Sequence, residues 1–174
     1  MINILHISRT MGQGGAEKVV YQICKDIKEK DLNMYVASTG GYLSKKLEEQ
    51  GIVNINIPDI DKKNPVLMLK TLIILYKTIK KYDISIVHSH HRMAAFYSII
   101  LNIFNRKFKR VYTAHNIFED KKKLMRFSLK GSKIVAVGNS VKRNLEEFYK
   151  INTSQIELIY NSVEFPKSIE KPKD

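Results

Sequence analysis

Ile2-Asn3-Ile4-Leu5-His6-Ile7-Ser8-Arg9-Thr10-Met11-Gly12-Gln13-Gly14-Gly15-Ala16-Glu17-Lys18-Val19-Val20 is the stretch that decides the fold. Residues 2–7 are a short, nearly continuous apolar run, the pattern of a strand buried in a parallel sheet. Gly12, Gly14 and Gly15 punctuate a turn after it. Ala16, Val19, Val20, Ile23, Cys24 and Ile27 then recur at helical spacing, up to about Lys30. Strand, glycine turn and helix open a β–α–β unit, in which ligands meet the chain just past the strand.

The same alternation continues outward. Residues 34–38 predict a second strand, 43–50 a short helix closed by Gly51, and 53–57 a third strand. Asn64-Pro65 predicts a helix start, with Asn as cap and Pro at the first helical position. Leu69, Leu72, Ile73, Tyr76 and Ile79 make one apolar stripe of that helix, and Lys70, Lys77 and Lys81, with Leu67 and Ile74, the opposite face. Strands are expected at 84–88, 110–114, 133–137 and 156–159, and an apolar helix at 93–105. A further helix bearing Val141, Leu145, Phe148 and Tyr149 is expected to be capped by Asn139 or Ser140. The pattern predicts an α/β, Rossmann-like, doubly wound and mainly parallel sheet with helices on both faces. It fills one domain, residues 1–162, with 163–174 (containing Pro166 and Pro172) read as the start of a linker.

Hydrophobic residues make up 44% and charged residues 27% of the 174 positions, the balance of a globular chain. A single cysteine, Cys24, rules out an internal disulfide framework and fits a reducing cytoplasm. Its place in a helical pattern reads as a small buried hydrophobe rather than a catalytic thiol. The start lacks a basic leader, and the apolar stretches at 66–76 and 93–104 fall short of the roughly 20 residues that cross a bilayer. Thirty basic against 17 acidic residues give a net charge of +13, a field that favours anionic partners. Arginine stands only at Arg9, Arg92, Arg106, Arg110, Arg126 and Arg143; the other basic residues are lysine. That balance fits diffuse attraction or a simple lysine bias. Without a recognition helix or an aromatic single-strand motif, nucleic acid is not an expected partner.

The candidate functional residues all follow strands. The glycines at 12–15 let backbone approach a ligand and the next helix offers free N–H groups to an anion, although a plain tight turn uses glycine too. Glu17 stands where a dinucleotide fingerprint needs its third glycine. Ser38-Thr39-Gly40 replaces the acid expected after the second strand, and no Gly-Lys-Ser/Thr of a P-loop follows the turn. His88 and His90 share one strand face, a spacing open to zinc. With no acidic or Cys ligand nearby in sequence, His88-Ser89-His90-His91-Arg92 reads instead as a polar, ligand-facing loop. Thr113-Ala114-His115-Asn116 delivers a histidine to the end of the fifth strand, for a cleft or for a local hydrogen bond. Asp59-Ile60-Asp61 superficially matches a metal-binding Asp-x-Asp, but in a Pro- and Lys-rich connection it reads as a solvated loop.

Five segments together carry a family resemblance. They are Gly14-Gly15-Ala16-Glu17-Lys18-Val19-Val20, Asp83-Ile84-Ser85-Ile86-Val87-His88-Ser89-His90, Val111-Tyr112-Thr113-Ala114-His115-Asn116, Ile134-Val135-Ala136-Val137-Gly138-Asn139-Ser140 and Ile159-Tyr160-Asn161-Ser162-Val163-Glu164. In this order and spacing the chain resembles the N-terminal, acceptor-side domain of family-4-like GT-B glycosyltransferases.

The resemblance implies retaining transfer of a sugar from a nucleotide-sugar donor, with neither metal nor cofactor, in a cleft between two Rossmann-like domains. Gly14 and Gly15, with Glu17 in the same loop, would lie by the donor phosphates and the acceptor. His115 would contact the transferred sugar, and His90, Arg92 and Asn116 would line the acceptor side. Asn161-Ser162 departs from the family's usual Asn-Gly at the crossover. The family's donor-binding C-terminal domain would begin where this chain stops at Asp174, so the chain alone is expected to fold but not to turn over.

The implied acceptor is a glycan or a lipid-linked sugar of surface polysaccharide or glycoconjugate synthesis, met at the cytoplasmic side of a membrane. Lys62, Lys63, Lys70, Lys77 and Lys81, with exposed Leu67 and Ile74, would make a basic membrane face, and residues 121–126 a second. Competing readings are an orphan, non-enzymatic Rossmann-like binding domain, a sugar-nucleotide epimerase of the same general fold, and a nucleic-acid-binding module suggested by charge alone.

Overall fold

The computed structural model describes residues 2–26, 32–105 and 107–161. Seven parallel strands form one sheet among them: β1 (Ile2–Ile7), β2 (Leu32–Ser38), β3 (Val53–Asn56), β4 (Ile86–Ser89), β5 (Lys109–Ala114), β6 (Lys133–Ala136) and β7 (Ile156–Leu158). Their spatial order is β3-β2-β1-β4-β5-β6-β7. The direction of winding reverses between β1 and β4, and that switch point opens a crevice beyond the carboxyl ends of the strands. The connecting helices are α1 (Gly15–Asp26), α2 (Tyr42–Glu48), α3 (Pro65–Lys81), α4 (Arg92–Phe104), α5 (Lys122–Leu129) and α6 (Asn139–Arg143).

Alternation along the strands divides the core in two. Met34 and Val36 of β2 pack with Val20 and Cys24 of α1 and Leu43 and Leu47 of α2. On the other face Leu5, Ile7 and Val87 pack with Leu75 and Ile79 of α3 and Tyr97 and Leu101 of α4. Further along that second face Tyr112, Ile134 and Ala136 meet Met125 and Leu129 of α5 and Val141 of α6. Cys24 is 4% exposed and burial pushes its thiol up to about 12, so it is an inert part of the core.

Four expectations from the sequence need correcting. The buried face of α3 carries Thr71, Leu75, Thr78 and Ile79, whereas Leu69 and Ile73 are 59% and 46% exposed. This helix is apolar nearly all round, so periodicity alone gives no unique inner face. Thr71 and Thr78 can be buried because their hydroxyls donate to the carbonyls of Leu67 and Ile74 at 2.8 and 2.9 Å. Leu67 and Ile74 are half-buried, and the apolar residues exposed on this helix beside Lys70, Lys77 and Lys81 are Val66, Leu69 and Ile73.

Residues 121–126 belong largely to α5, a helix without an N-capping side chain, preceded by Lys121 in the left-handed region at φ 48°. Its last turn is held from outside: the buried Arg110 donates to the carbonyl of Ser128 at 3.0 Å and to that of Lys130. No local signal announces such a cap.

Gly138, rather than Asn139 or Ser140, precedes α6, which widens into a π-helical turn over Asn144–Phe148. The chain joins β4 at Ile86 rather than at 84, because Ile84 closes α3. Asp83 turns left-handed at φ 43°, the Ile84 N–H donates to the Ile79 carbonyl at 3.0 Å, and Asn3 Nδ2 donates to the Tyr82 carbonyl at 2.6 Å. Gly51, at φ 81°, ends α2 as expected.

The expected helical residues 27–30, Arg106, Ser162 and the expected linker 163–174 lie outside the described residues. Among the described residues no helix is long and apolar enough to cross a membrane.

Candidate functional site

The loop after β1 is fixed by backbone pairing to the loop after β2. Met11 donates from its N–H to the Gly40 carbonyl at 2.9 Å and accepts from Leu43 at 2.8 Å; Thr39 donates to the Arg9 carbonyl at 3.1 Å. Gly41 makes this possible. Its φ is 147°, and a Cβ there would lie 2.4 Å from the Met11 carbonyl oxygen and 2.8 Å from the Gly12 nitrogen.

On this base the glycine turn projects to the start of α1, leaving Gly14 and Gly15 exposed. Glu17, in the first turn of α1, accepts the Thr10 hydroxyl at 2.6 Å, which folds the loop back onto the helix start. A Cβ on Gly14 would meet Glu17 Oε2 at 2.4 Å, whereas one on Gly15 would meet nothing within 4 Å.

Four imidazoles gather at the switch point, from β1 (His6), β4 (His88), the turn after β4 (His90) and the turn after β5 (His115). Register places His6 beside His88. His6 Nδ1 lies 3.0 Å from His90 Nε2, His90 Nδ1 lies 3.2 Å from His115 Nε2, and His88 Nε2 lies 2.7 Å from Thr113 Oγ1. The rings of His88 and His90 are 4.1 Å apart between centroids.

Burial lowers the basicity of all four. His6 falls to about 4; His88 and His90 fall well below the usual range, first by burial and then by the charge of neighbouring histidines, His6 and His115 for His88, and His88, His6 and His115 for His90. Burial also lowers His115, against an opposing pull from the Glu17 carboxylate. The cluster is therefore a set of neutral rings, each with one N–H and one lone pair.

Ligand nitrogens of His6, His88 and His90 lie within 4.8 Å of one another, a donor set of the kind zinc accepts. In this geometry, however, His6 and His90 bond to each other and His88 bonds to Thr113.

The Asp59-Ile60-Asp61 segment is not the solvated loop its composition suggests. Ile60 is 1% exposed, and Arg9 grips Asp59 through Nε and Nη2 at 2.9 and 3.0 Å while its Nη1 sits 3.2 Å from Asp61. The Arg9 guanidinium holds the Asp59 carboxyl below its usual range. Asp61 also lies 3.6 Å from His91 Nε2, and His91 Nδ1 accepts the Met93 N–H at the start of α4.

Among the residues singled out from sequence, the fold brings Gly14, Gly15, Glu17, His90 and His115 to the carboxyl end of the sheet, with exposed Asn116 next to His115. Arg92 is held elsewhere: its guanidinium pairs with Asp120 and lies 3.7 Å over the Phe118 ring. Lys70, Lys77 and Lys81 are exposed on α3, on the sheet face opposite α1.

A groove of about 590 Å³ runs from the histidines between α1 and the sheet, lined by His6, His88, Val111, Thr113 and Val135 and reaching Asn161. A second, of about 620 Å³ between α1 and α2, has Gly15, Lys18, Tyr42 and Asn161 on its walls. Sequence reading missed His6, Arg9 and Gly41. His6 looks like one more residue of a strand, and its partner His90 lies 84 residues on, past two further strands and three helices; Gly41 was readable as a glycine directly after a strand.

A family model described as Glycosyltransferase Family 4 matches residues 13–165. A crystal structure of a glycosyltransferase from Rickettsia africae is similar with TM-score 0.81 and 31% identity, covering 93% of this chain and 43% of that one. Anabaena HepE, in complex with UDP and glucose, is similar with TM-score 0.74 and 17% identity over 94% of this chain and 45% of its own. The lipopolysaccharide outer core galactosyltransferase WaaB gives TM-score 0.71 and 17% identity over 99% of this chain and 50% of its own. The last two likenesses speak for the fold alone. The chain spans about half the length of these solved structures or less. No curated protein matches.

Proposed function

The chain belongs to glycosyltransferase family 4, with the Rossmann-like half of a GT-B fold, and on that premise we propose that it is the acceptor-side half of a retaining, metal-independent transferase. The observation that carries this reading is the meeting of two things at the switch point. One is an anion-accepting helix start with an open backbone at Gly15; the other is a neutral histidine, His115, within the field of Glu17.

A nucleotide-sugar diphosphate placed at the start of α1 would meet free N–H groups there. The bond that breaks joins the anomeric carbon to the phosphate oxygen, which leaves with the electron pair. The bond that forms joins that carbon to the acceptor hydroxyl on the same face, and the hydroxyl proton passes to the leaving phosphate. His115 would contact the sugar in transit, with His90 and Asn116 towards the acceptor. Arg92, occupied by Asp120 and Phe118, would shape the wall rather than touch the acceptor.

A second Rossmann-like domain supplies the nucleotide site in this proposal, since the solved relatives are about twice as long as this chain. The acceptor is a glycan or lipid-linked sugar of surface polysaccharide or glycoconjugate synthesis, at the cytoplasmic face of a membrane. The exposed α3 face, with Val66, Leu69 and Ile73 among Lys70, Lys77 and Lys81, supports that docking. So does a depression of about 530 Å³ lined by Lys123, Arg126, Lys130 and Lys150.

The test is sugar transfer by the 174-residue chain and by a form joined to the donor-binding domain of a family-4 transferase. Transfer by the joined form alone, reduced by roughly 100-fold or more in His115→Ala, is the expected result. Full activity of the His115→Ala form would remove the assignment.

A further inference from the structure

Among the described residues, His6 Nε2 is a buried nitrogen with no hydrogen-bond partner, although the other nitrogen of the same ring is engaged. That one atom sets the direction of a chain of bonds. His6 Nδ1 faces His90 Nε2 at 3.0 Å, and His90 Nδ1 faces His115 Nε2 at 3.2 Å. Because burial keeps the rings neutral, each has one proton to give and one lone pair to offer.

Two arrangements satisfy both bonds. In one, His6 Nδ1–H donates to His90 and His90 Nδ1–H donates to His115. In the other, both bonds run backwards, from His115 through His90 to His6. The backward arrangement puts a proton on His6 Nε2, where it becomes a buried donor without an acceptor. The forward arrangement leaves a bare lone pair there. Proteins accept an unmet lone pair more readily than an orphaned N–H.

We infer that His6 and His90 are positioning residues: a relay of two imidazoles, anchored at the unpartnered Nε2 of His6, that fixes His115 with its proton on Nδ1. The nitrogen of His115 that faces away from the relay is then a hydrogen-bond donor. It suits an oxygen of the sugar or of the departing phosphate, and it is not a base. His88, bonded to Thr113 and packed against His90, holds the middle ring in plane. This inference rests on the transferase reading only for what His115 donates to; the proton positions themselves do not depend on it.

The experiment is long-range proton–nitrogen NMR of the 174-residue chain with labelled histidine, near neutral pH. Nδ1–H signatures at His6, His90 and His115 are expected, against the Nε2–H form that an unconstrained imidazole prefers. His6→Asn keeps an amide N–H near the Nδ1 position and should leave His115 unchanged. His6→Asp puts an acceptor in place of the donor and should turn both bonds round, moving His115 to Nε2–H. An Nε2–H tautomer on His115 in the unmodified chain, or Nδ1–H on His115 in a folded His6→Asp form, overturns the relay. If His6→Asp does not fold, the unmodified spectrum and His6→Asn still decide. The readout needs no turnover. Nδ1–H on His115 in a joined form that transfers no sugar overturns the transferase reading alone, and Nε2–H in an active one overturns the relay alone.

Discussion

The backbone of Gly41 passes so close to Met11 that a Cβ would stand 2.4 Å from the Met11 carbonyl oxygen. The clash is with the backbone peptide joining Met11 and Gly12, and φ is 147°, so no side-chain movement relieves it. Gly41→Ala should therefore destabilise the chain by roughly 2–4 kcal/mol, read as a lower urea midpoint at unchanged slope. A loss below about 0.5 kcal/mol would mean that the loops after β1 and β2 are not locked together as described.

Gly15 behaves oppositely. It opens α1 with no left-handed φ, and a methyl group there would meet nothing within 4 Å. Gly15→Ala should leave stability within about 1 kcal/mol of the original. In the joined transferase it should still cut sugar transfer, because the methyl would stand at the proposed diphosphate site. Undiminished transfer would place the donor elsewhere.

The phase of α3 separates two leucines of equal chemistry. Leu75 is 0% exposed and Leu69 59%. Leu75→Ala should cost about 2–5 kcal/mol, and Leu69→Ala no more than about 0.5 kcal/mol. Equal losses in denaturant titrations would restore the stripe that periodicity alone suggests.

Acid should loosen the Arg9 clamp. Arg9 lowers the folded-state ionisation of Asp59 below its unfolded value of 3.8. The contribution is thus fully present above the unfolded value and is lost as pH falls through the lower folded one. Asp59→Asn should be less stable than the original chain by a constant margin from pH 5 to 7, a margin that shrinks as the solution becomes more acidic than pH 4. A margin that grows in acid would contradict the sign of the shift.

The proposed membrane docking by α3 would rest on exposed Lys70, Lys77 and Lys81 around Val66, Leu69 and Ile73. Each lysine near anionic lipid is worth about 1 kcal/mol. Changing all three to Glu should abolish co-sedimentation with phosphatidylserine-containing vesicles at low salt. Binding that survives both the charge reversal and high salt would assign the surface a different role.

The sequence by itself determined the alternation of strands and helices, the glycine turn, the Asn64-Pro65 helix start and the Gly51 stop. These signals are short-range: backbone donors near a cap, a positive φ, and side chains at period two or at helical period. Asn64 shows it, accepting the N–H groups of Val66 and Leu67, two and three residues on. Only the tertiary structure decided which side of α3 faces inwards, since that helix is apolar nearly all round and its neighbours settle the choice.

The same holds for the site. Gly15 and His115 were legible because a strand end announces them. Arg9 and Asp59 meet across 50 residues and His6 and His90 across 84. The His6–His90 pairing exists because β4 lies beside β1 in the sheet, and the Arg9–Asp59 pairing because the connection after β3 reaches back to the loop after β1; no local pattern in the chain encodes either adjacency. The sequence supplied the imidazoles; strand order put their nitrogens within hydrogen-bonding distance.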